Sequence, residues 1–111
     1  MSDTPRRGDV IWIEFDPQME HEQAGRRPAL VLSDITYNSA SGLVLLCPIT
    51  SKVKRYPFEV AVPNGLRIHG VILCDQIKSF DWNARKSKYI CEMPQETINE
   101  VLAKALPLLE D

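Results

Sequence analysis

The apolar residues of this chain fall in short runs separated by Gly, Pro, Asn and Asp, a pattern typical of a protein built mainly from β-strands. The runs are rich in β-branched and aromatic side chains, and Phe58–Val62 shows a period of two. The pattern predicts six strands: Asp9–Phe15, Ala29–Ser33, Leu43–Thr50, Phe58–Val62, Gly70–Phe80 and a short last strand at Tyr89–Cys91.

One segment near the C-terminus has the periodicity of a helix. Pro94–Leu106 begins with a proline that suits the first turn, Glu96 complements the helix dipole, and the apolar residues recur at helical spacing. Pro107 should end or kink this helix, and its apolar stripe should cover the open end of a barrel. Asp34–Gly42 has room for one helical turn. The expected fold is mainly β with a C-terminal helix, a small SH3-like barrel of five to seven strands.

Two further features concern the connections. Pro17–Pro28 is long, polar and contains Gly25, so it is predicted to be a loop between the first two strands. Pro48 stands inside the third strand, and a proline cannot donate to a strand ladder. That strand is therefore expected to lie at an edge, to be bulged, or to end near Pro48.

Length and composition fit one globular domain over residues 1–111, with 44% apolar and 25% charged residues. No run approaches the roughly 18 apolar residues of a membrane helix, and the N-terminus lacks the apolar region of a secretory signal, so a cytoplasmic location is expected. Cys47, Cys74 and Cys91 form no C-x-x-C pair. They are interpreted as reduced and structural, and no metal or other cofactor is expected.

Charge is unevenly distributed along the chain. The net charge of −2 argues against binding of nucleic acid over the whole surface. Residues 1–91 nevertheless carry twelve Lys or Arg against ten Asp or Glu, whereas residues 92–111 carry one against five. The basic residues cluster at Arg26-Arg27, at Lys52-Lys54-Arg55 and at Arg85-Lys86-Lys88. These clusters are either three solvated loops or parts of a basic groove for a few nucleotides of single-stranded nucleic acid.

The segment Glu20–Pro28 is the densest group of candidate functional side chains. Arg27 precedes Pro28, which favours an extended backbone there, and a guanidinium held at the start of a strand can bind a phosphate with two hydrogen bonds. The alternative is that Arg27 pairs with Glu22 and only braces the loop.

Two other groups follow later in the chain. Thr50 ends the third strand and is followed by Ser51 and basic residues, so its hydroxyl either donates to a phosphate or caps a turn. In the segment Asp75–Lys78, strand alternation would place Gln76 and Lys78 on one face. There Gln76 would form hydrogen bonds with a base edge, and Lys78 would bind a phosphate. The alternative is a structural bond from Asp75 beside solvated neighbours. No Ser-His-Asp spacing, Gly-rich phosphate loop or dinucleotide-binding motif is present.

Taken in order, five blocks of this sequence resemble the MazF family of toxin–antitoxin systems, also called PemK-like. The blocks are R-R-G-D-V-I-W-I-E-F-D-P at 6–17, E-Q-A-G-R-R-P at 22–28, P-I-T-S at 48–51, Y-P-F-E-V at 56–60 and D-Q-I-K-S at 75–79. The resemblance spans nearly the whole chain.

This resemblance implies an SH3-like barrel that works as a homodimer and binds single-stranded RNA in a groove. It implies a sequence-specific endoribonuclease toxin that cleaves mRNA without a metal ion, through attack of the 2′-hydroxyl. The products would carry a 2′,3′-cyclic phosphate and a 5′-hydroxyl, and the cell's translation and growth would be inhibited. A cognate, MazE-like antitoxin would cover the basic groove with its acidic tail.

The resemblance also assigns residues. The implied catalytic residues are Arg27, Thr50 and Glu22. Arg27 would stabilise the charge of the phosphorane, Thr50 would orient or donate to a non-bridging oxygen, and Glu22 would be either a base or a support for Arg27. The residues expected to bind RNA are His21, Gln23, Arg26, Ser51, Lys52, Lys54, Gln76, Lys78 and Arg85.

The sequence departs from the family pattern at two positions. Family members often carry Gly-Ser before E-Q, where this chain has Glu20-His21. His21 is either a proton carrier near neutral pH or an exposed loop histidine. Arg26 adds a second guanidinium, which would change how the protein binds phosphate or which sequence motif it cleaves.

Two other functions remain as alternatives. A gyrase-binding toxin family resembles the same fold but works through a C-terminal Trp-Gly-Ile, whereas this chain ends in Leu109-Glu110-Asp111. The second alternative is an inactive RNA-binding barrel, which would bind RNA without cleaving it.

Overall fold

The computed structural model describes residues 3–15 and 25–110, and antiparallel strands dominate these residues. The strands are β1 (Asp9–Glu14), β2 (Arg26–Val31), β3 (Leu43–Thr50), β4 (Glu59–Ala61), β5 (Val71–Leu73), β6 (Lys78–Asp81) and β7 (Lys88–Glu92). The helices are α1 (Ile35–Ser41) and α2 (Gln95–Ala105), and a 3₁₀ turn follows at Leu106–Leu109. The mainly β class with a C-terminal helix is confirmed.

The strands form one seven-stranded sheet in the order β4-β5-β3-β2-β1-β7, with β6 also paired to β3. On one side β3 pairs with β2. On the other side its residues 43–46 pair with β6 and its residues 49–50 pair with β5. The long strand β3 thus joins the two halves of the sheet, and β4 and β7 lie at opposite ends of the strand order.

The expectation of an edge position for the strand around Pro48 is wrong, because β3 has partners on both sides. Pro48 is paired with Ala29 of β2. On its other side it lies between the residues that pair with β6 and those that pair with β5, where the ladder is interrupted. Because no partner strand is paired at this gap, the missing N–H of a proline removes no inter-strand hydrogen bond there. The strand does end two residues later, at Thr50.

The predicted strand Gly70–Phe80 is two strands in the structure. A turn at residues 74–75 and an irregular stretch at 76–77 separate β5 from β6, and the Gln76 amide donates to the Leu73 carbonyl at 3.2 Å. The predicted alternation of Asp75, Gln76, Ile77 and Lys78 is therefore wrong, because period-two alternation holds only within a continuous strand.

Two other boundaries also differ. β2 begins at Arg26 rather than at Ala29, so the end of the predicted loop Pro17–Pro28 belongs to the sheet. α1 is a helix of seven residues rather than one turn: the Asp34 side chain accepts a bond from the Thr36 amide, and Gly42, with φ 74°, closes its C-terminus.

Buried apolar side chains form two clusters. The main cluster contains α2, which buries Ile98 and Val101 against the sheet, as its apolar stripe predicted. We call the other group the second cluster; its buried members are Ile11, Ile13, Phe15, Ala29, Val31, Val44 and Leu46, with Phe80 and Trp82 packed against them. Within the described residues, no helix is long and apolar enough to cross a membrane.

Candidate active site

Arg27 lies in β2, on the face of the sheet that carries the second cluster. Its partner in the β1–β2 ladder is Ile13, a fully buried member of that cluster. Directly opposed residues of an antiparallel pair project from the same face. Arg27 is half-buried, and its backbone is part of the sheet rather than of a loop. The strand therefore fixes the direction of this guanidinium.

Thr50 is the last residue of β3 and is 5% exposed. Alternation along β3 places it on the same face as Leu46, a member of the second cluster. The β2–β3 ladder ends at the pair Ala29–Pro48. Arg27 and Thr50 each lie two residues beyond that pair, so they share one face at the same end of neighbouring strands.

The Thr50 hydroxyl already makes one hydrogen bond. Its Oγ1 accepts from the Lys52 amide at 3.2 Å, so the turn-capping role considered above is present. A hydroxyl carries one proton and two lone pairs. Accepting from Lys52 uses a lone pair and leaves the proton available for a phosphate oxygen, so the two roles are compatible.

Gly70 adds a contact that the sequence pattern did not reveal. Its φ is 116°, and a β-carbon built there would lie 2.1 Å from the Thr50 carbonyl oxygen and 2.8 Å from its carbonyl carbon. Both atoms belong to the backbone and have little room to move. Only glycine fits this position without displacing Thr50.

Lys78 is the third polar group at this end of the second cluster. It pairs with Leu46 across the β3–β6 ladder, which places it on the face shared by Arg27 and Thr50. The start of β2, the end of β3 and the start of β6 lie at the same end of an antiparallel sheet. We call these three residues the Arg27–Thr50–Lys78 cluster: two cations beside a hydroxyl.

Arg85 lies beside this cluster but is held by protein groups. Its Nη1 donates to the Glu14 carbonyl at 3.0 Å, and its own carbonyl accepts from the Glu14 amide at 3.2 Å. Its guanidinium carbon lies 4.0 Å from the centre of the Phe80 ring, and that ring meets Phe15 edge-on with centroids 5.2 Å apart. Arg85 thereby joins the turn between β6 and β7 to the end of β1.

Arg26 and Gln76 have different surroundings. The Arg26 Nη2 donates to the Lys86 carbonyl at 3.0 Å, so this guanidinium also braces the turn before β7. The Gln76 Oε1 is buried, and it has no hydrogen-bond partner among the described residues. A buried amide oxygen without a partner is energetically costly, and no sequence pattern predicted it.

The predicted phosphate-binding residues Ser51, Lys52 and Lys54 lie in an exposed loop that leaves the end of β3. The Lys54 amide donates to the Glu59 carboxylate at 3.2 and 3.3 Å. The loop therefore begins at Thr50 and is tied to the first residue of β4. Glu22, His21 and Gln23 lie outside the described residues.

The cysteines are all free, as expected. Burial raises the pKa of the Cys47 thiol, and burial raises the pKa of Cys74 to about 11. Among the residues that the structure describes, no group of three or more His, Cys, Asp and Glu could hold a metal ion.

Comparison with known families identifies the family of this chain. The family model of PemK-like, MazF-like toxins of type II toxin–antitoxin systems matches residues 6–109. The chain belongs to this family. All five sequence blocks of the resemblance described above lie within the matched residues, and the resemblance is confirmed.

Individual members of the PemK/MazF family agree with this assignment. The endoribonuclease toxin MazF of Escherichia coli strain K12 is 44% identical over 100 residues, which cover 90% of this chain and 89% of the relative. A crystal structure of MazF from Deinococcus radiodurans superposes with a TM-score of 0.95 at 44% identity, over 99% of this chain and 100% of that one. A MazE–MazF structure from the same organism superposes with a TM-score of 0.87 at 40% identity, over 98% of each chain.

Proposed function

We propose that this endoribonuclease toxin of the PemK/MazF family cleaves single-stranded RNA at short sequence motifs, without a metal ion, by attack of the 2′-hydroxyl on the adjacent phosphate. The observation that carries the proposal is that Arg27, Thr50 and Lys78 lie on one face of the sheet, at the same end of the second cluster. A cation, a hydroxyl donor and a second cation on one rigid sheet are what a pentacoordinate phosphate requires.

Arg27 stabilises the negative charge that develops on the phosphorane. Its backbone is fixed by the β1–β2 ladder and its side chain is half-buried. A guanidinium stays protonated in proteins and can donate two parallel hydrogen bonds to phosphate oxygens. Fixed donors aimed at developing charge accelerate a reaction because they need no reorganisation at the moment of reaction.

Thr50 orients the phosphate. Its oxygen accepts from the Lys52 amide, which fixes the hydroxyl and leaves its proton to donate to a non-bridging oxygen. Lys78 holds a neighbouring phosphate or shares the scissile one, since an ammonium group has three donors.

The proton transfers involve the two residues Glu22 and His21. The 2′-hydroxyl must lose a proton and the departing 5′-oxygen must gain one. Glu22 acts either as the general base or as a support for Arg27. His21 is either a proton carrier or an exposed loop histidine. Arg27 itself is a poor proton donor for the leaving oxygen, because a guanidinium does not release its proton in proteins.

Substrate and antitoxin compete for the same surface in this proposal. Gln23, Arg26, Lys52, Lys54, Gln76 and Arg85 would extend the RNA groove from the Arg27–Thr50–Lys78 cluster, together with Ser51. The acidic tail of a MazE-like antitoxin would neutralise this basic surface and exclude RNA. Residues 1–111 act as one toxin domain, which works as a homodimer in the cytoplasm.

A single-atom change in the substrate tests the proposed chemistry. An RNA strand that is cleaved by the protein is compared with the same strand carrying a 2′-deoxy nucleotide at the cleaved position. The proposal expects cleavage of the first strand and none of the second at that position. Cleavage of the 2′-deoxy strand at the same bond would rule out 2′-hydroxyl attack, and binding of both strands without cleavage would favour the inactive RNA-binding barrel.

A further inference from the structure

An aromatic ring stands in the basic loop that follows Thr50. Residues 51–57, between β3 and β4, are exposed and include Lys52, Lys54 and Arg55. Tyr56 lies in this loop and is 47% exposed. A large aromatic side chain left half in water is informative when its neighbours hold it in place.

The Tyr56 ring is fixed from two sides. Its centroid lies 5.6 Å from that of Phe58, at an interplanar angle of 51°. Its hydroxyl interacts with the Asp75 carboxylate, and this interaction raises the pKa of the phenol. A ring that is already ordered loses little conformational entropy when a ligand covers it.

The backbone around Tyr56 is also anchored. The Lys104 ammonium of α2 donates to the Pro57 carbonyl at 2.6 Å. Arg55 has a φ of 57°, a left-handed conformation that is costly for a residue with a β-carbon. The turn immediately before Tyr56 therefore has an energetically unfavourable backbone conformation.

The position of the ring relates it to the candidate active site. The Cys74 amide donates to the Phe58 carbonyl at 2.9 Å, so the chain before β4 runs beside the segment after β5. Asp75, whose carboxylate interacts with the Tyr56 hydroxyl, directly precedes Gln76, and the buried Oε1 of Gln76 has no hydrogen-bond partner within residues 3–15 and 25–110. Tyr56 thus belongs to the loop that starts at Thr50, and this loop ends beside the segment that leads to Lys78.

We propose that Tyr56 is a stacking platform for one base of the bound RNA, next to the phosphate that is cleaved. The proposal rests on the function proposed above, because it takes RNA as the substrate. Every base offers a flat π-face to an aromatic ring, and the basic side chains of the same loop hold the flanking phosphates. The competing role is purely structural: a ring that only shields Phe58 and stabilises the loop.

The test uses the full chain and three variants. Tyr56→Leu removes the ring, whereas Tyr56→Phe keeps the ring and removes only the hydroxyl that interacts with Asp75. Tyr89→Leu is the matched control, because Tyr89 is an exposed tyrosine in β7, at the opposite end of the strand order from β4. The probe is a short RNA spanning a cleavage site mapped for this protein, with a 2′-deoxy nucleotide at the cleaved position and 2-aminopurine as the adjacent base.

If Tyr56 stacks on the base, the wild type, Tyr56→Phe and Tyr89→Leu should all quench the 2-aminopurine fluorescence, and their RNA affinities should agree within about twofold. Tyr56→Leu should lose the quenching and bind the RNA about tenfold more weakly. The melting temperature of Tyr56→Leu should stay close to that of the wild type, because the loop is exposed. Binding and quenching by Tyr56→Leu that equal the wild type would overturn the platform, and so would a lower melting temperature with intact quenching.

Two other outcomes separate this inference from the proposed function. If Tyr56→Phe loses as much binding as Tyr56→Leu, the Tyr56 hydroxyl matters rather than the ring, and the platform is overturned. If Tyr56→Leu binds normally while the wild type cleaves RNA, the nuclease function stands without the platform. A wild-type protein that neither binds nor cleaves RNA would contradict the proposed function, and the platform with it.

Discussion

Gly70 lies directly against the backbone of Thr50, so closely that a β-carbon at Gly70 would meet the Thr50 carbonyl oxygen at 2.1 Å. Gly70→Ala should therefore push Thr50 out of line with Arg27. Because a misplacement of about 1 Å can cost on the order of 10²-fold in rate, we expect kcat for RNA cleavage to fall by about that factor. Cleavage kinetics of the folded variant, checked by circular dichroism, measure the effect.

The control for this prediction is Gly65→Ala. Gly65 also has a positive φ, 95°, but a β-carbon there would meet nothing within 4 Å. The variant Gly65→Ala has the strained backbone conformation without the steric clash, so its kcat should stay near that of the wild type. In a Thr50→Ala background, Gly70→Ala should add little further loss, since the two residues act through one position. An equal additional loss in that background would contradict the link to Thr50.

Arg27→Ala should lower the rate of RNA cleavage by on the order of 10²-fold or more, because a fixed cation at the developing charge is removed. Arg27→Lys should recover only part of the rate, since an ammonium cannot donate two parallel bonds. Arg67→Ala is the control: Arg67 is exposed and donates to the Ile90 carbonyl of β7. Equal rates for Arg27→Ala and Arg67→Ala would remove Arg27 from the mechanism.

Asn38 of α1 should be important for stability rather than for cleavage. It is fully buried; its Nδ2 donates to the carbonyls of Pro5 and Ser33, and its Oδ1 accepts from the Ser33 hydroxyl. Asn38→Ala leaves several buried groups without partners, so the free energy of unfolding should fall by roughly 2–4 kcal/mol. Urea unfolding measures this, with the exposed Asn83→Ala as control. A loss no greater than that of the control would contradict this role.

Stability should also fall at alkaline pH. Burial raises the pKa of Cys74 to about 11 from an ordinary value near 9. The folded state therefore keeps a proton that the unfolded state releases, so the stabilisation is complete below pH 9 and is lost as the pH rises through 11. Between these values each such thiol contributes a slope of about 1.4 kcal/mol per pH unit. Urea unfolding should show a shallower slope for Cys74→Ala, and identical slopes would contradict the assignment.

Much of the fold follows from the sequence because its signals are local. The β-branched and aromatic residues of Asp9–Phe15 and the apolar run Leu43–Thr50 predict β1 and β3, and the helical spacing after Pro94 predicts α2. The split between β5 and β6 was missed because Gly70–Phe80 has the composition of one strand. The turn at residues 74–75 depends on pairing of both halves with β3, which no local pattern encodes.

The candidate site was predictable only in part. The family resemblance selected Arg27 and Thr50, but their shared face follows from the register of β1, β2 and β3. Gly70 is invisible in the sequence as a neighbour of Thr50, because the contact joins residues 20 positions apart through strand pairing. Tyr56 was part of a recognised block, yet its fixed ring depends on Asp75 and Phe58, which the fold brings beside it.

The end groups of the RNA fragments test the central claim most directly. The purified chain is incubated with an mRNA transcript in excess EDTA, and both ends at each cut are identified by sequencing and enzymatic end analysis. The account predicts cleavage at a short recurrent motif, with a 2′,3′-cyclic phosphate on one fragment and a 5′-hydroxyl on the other. Fragments with 5′-phosphate ends, or cleavage that appears only after magnesium or zinc is added, would contradict it.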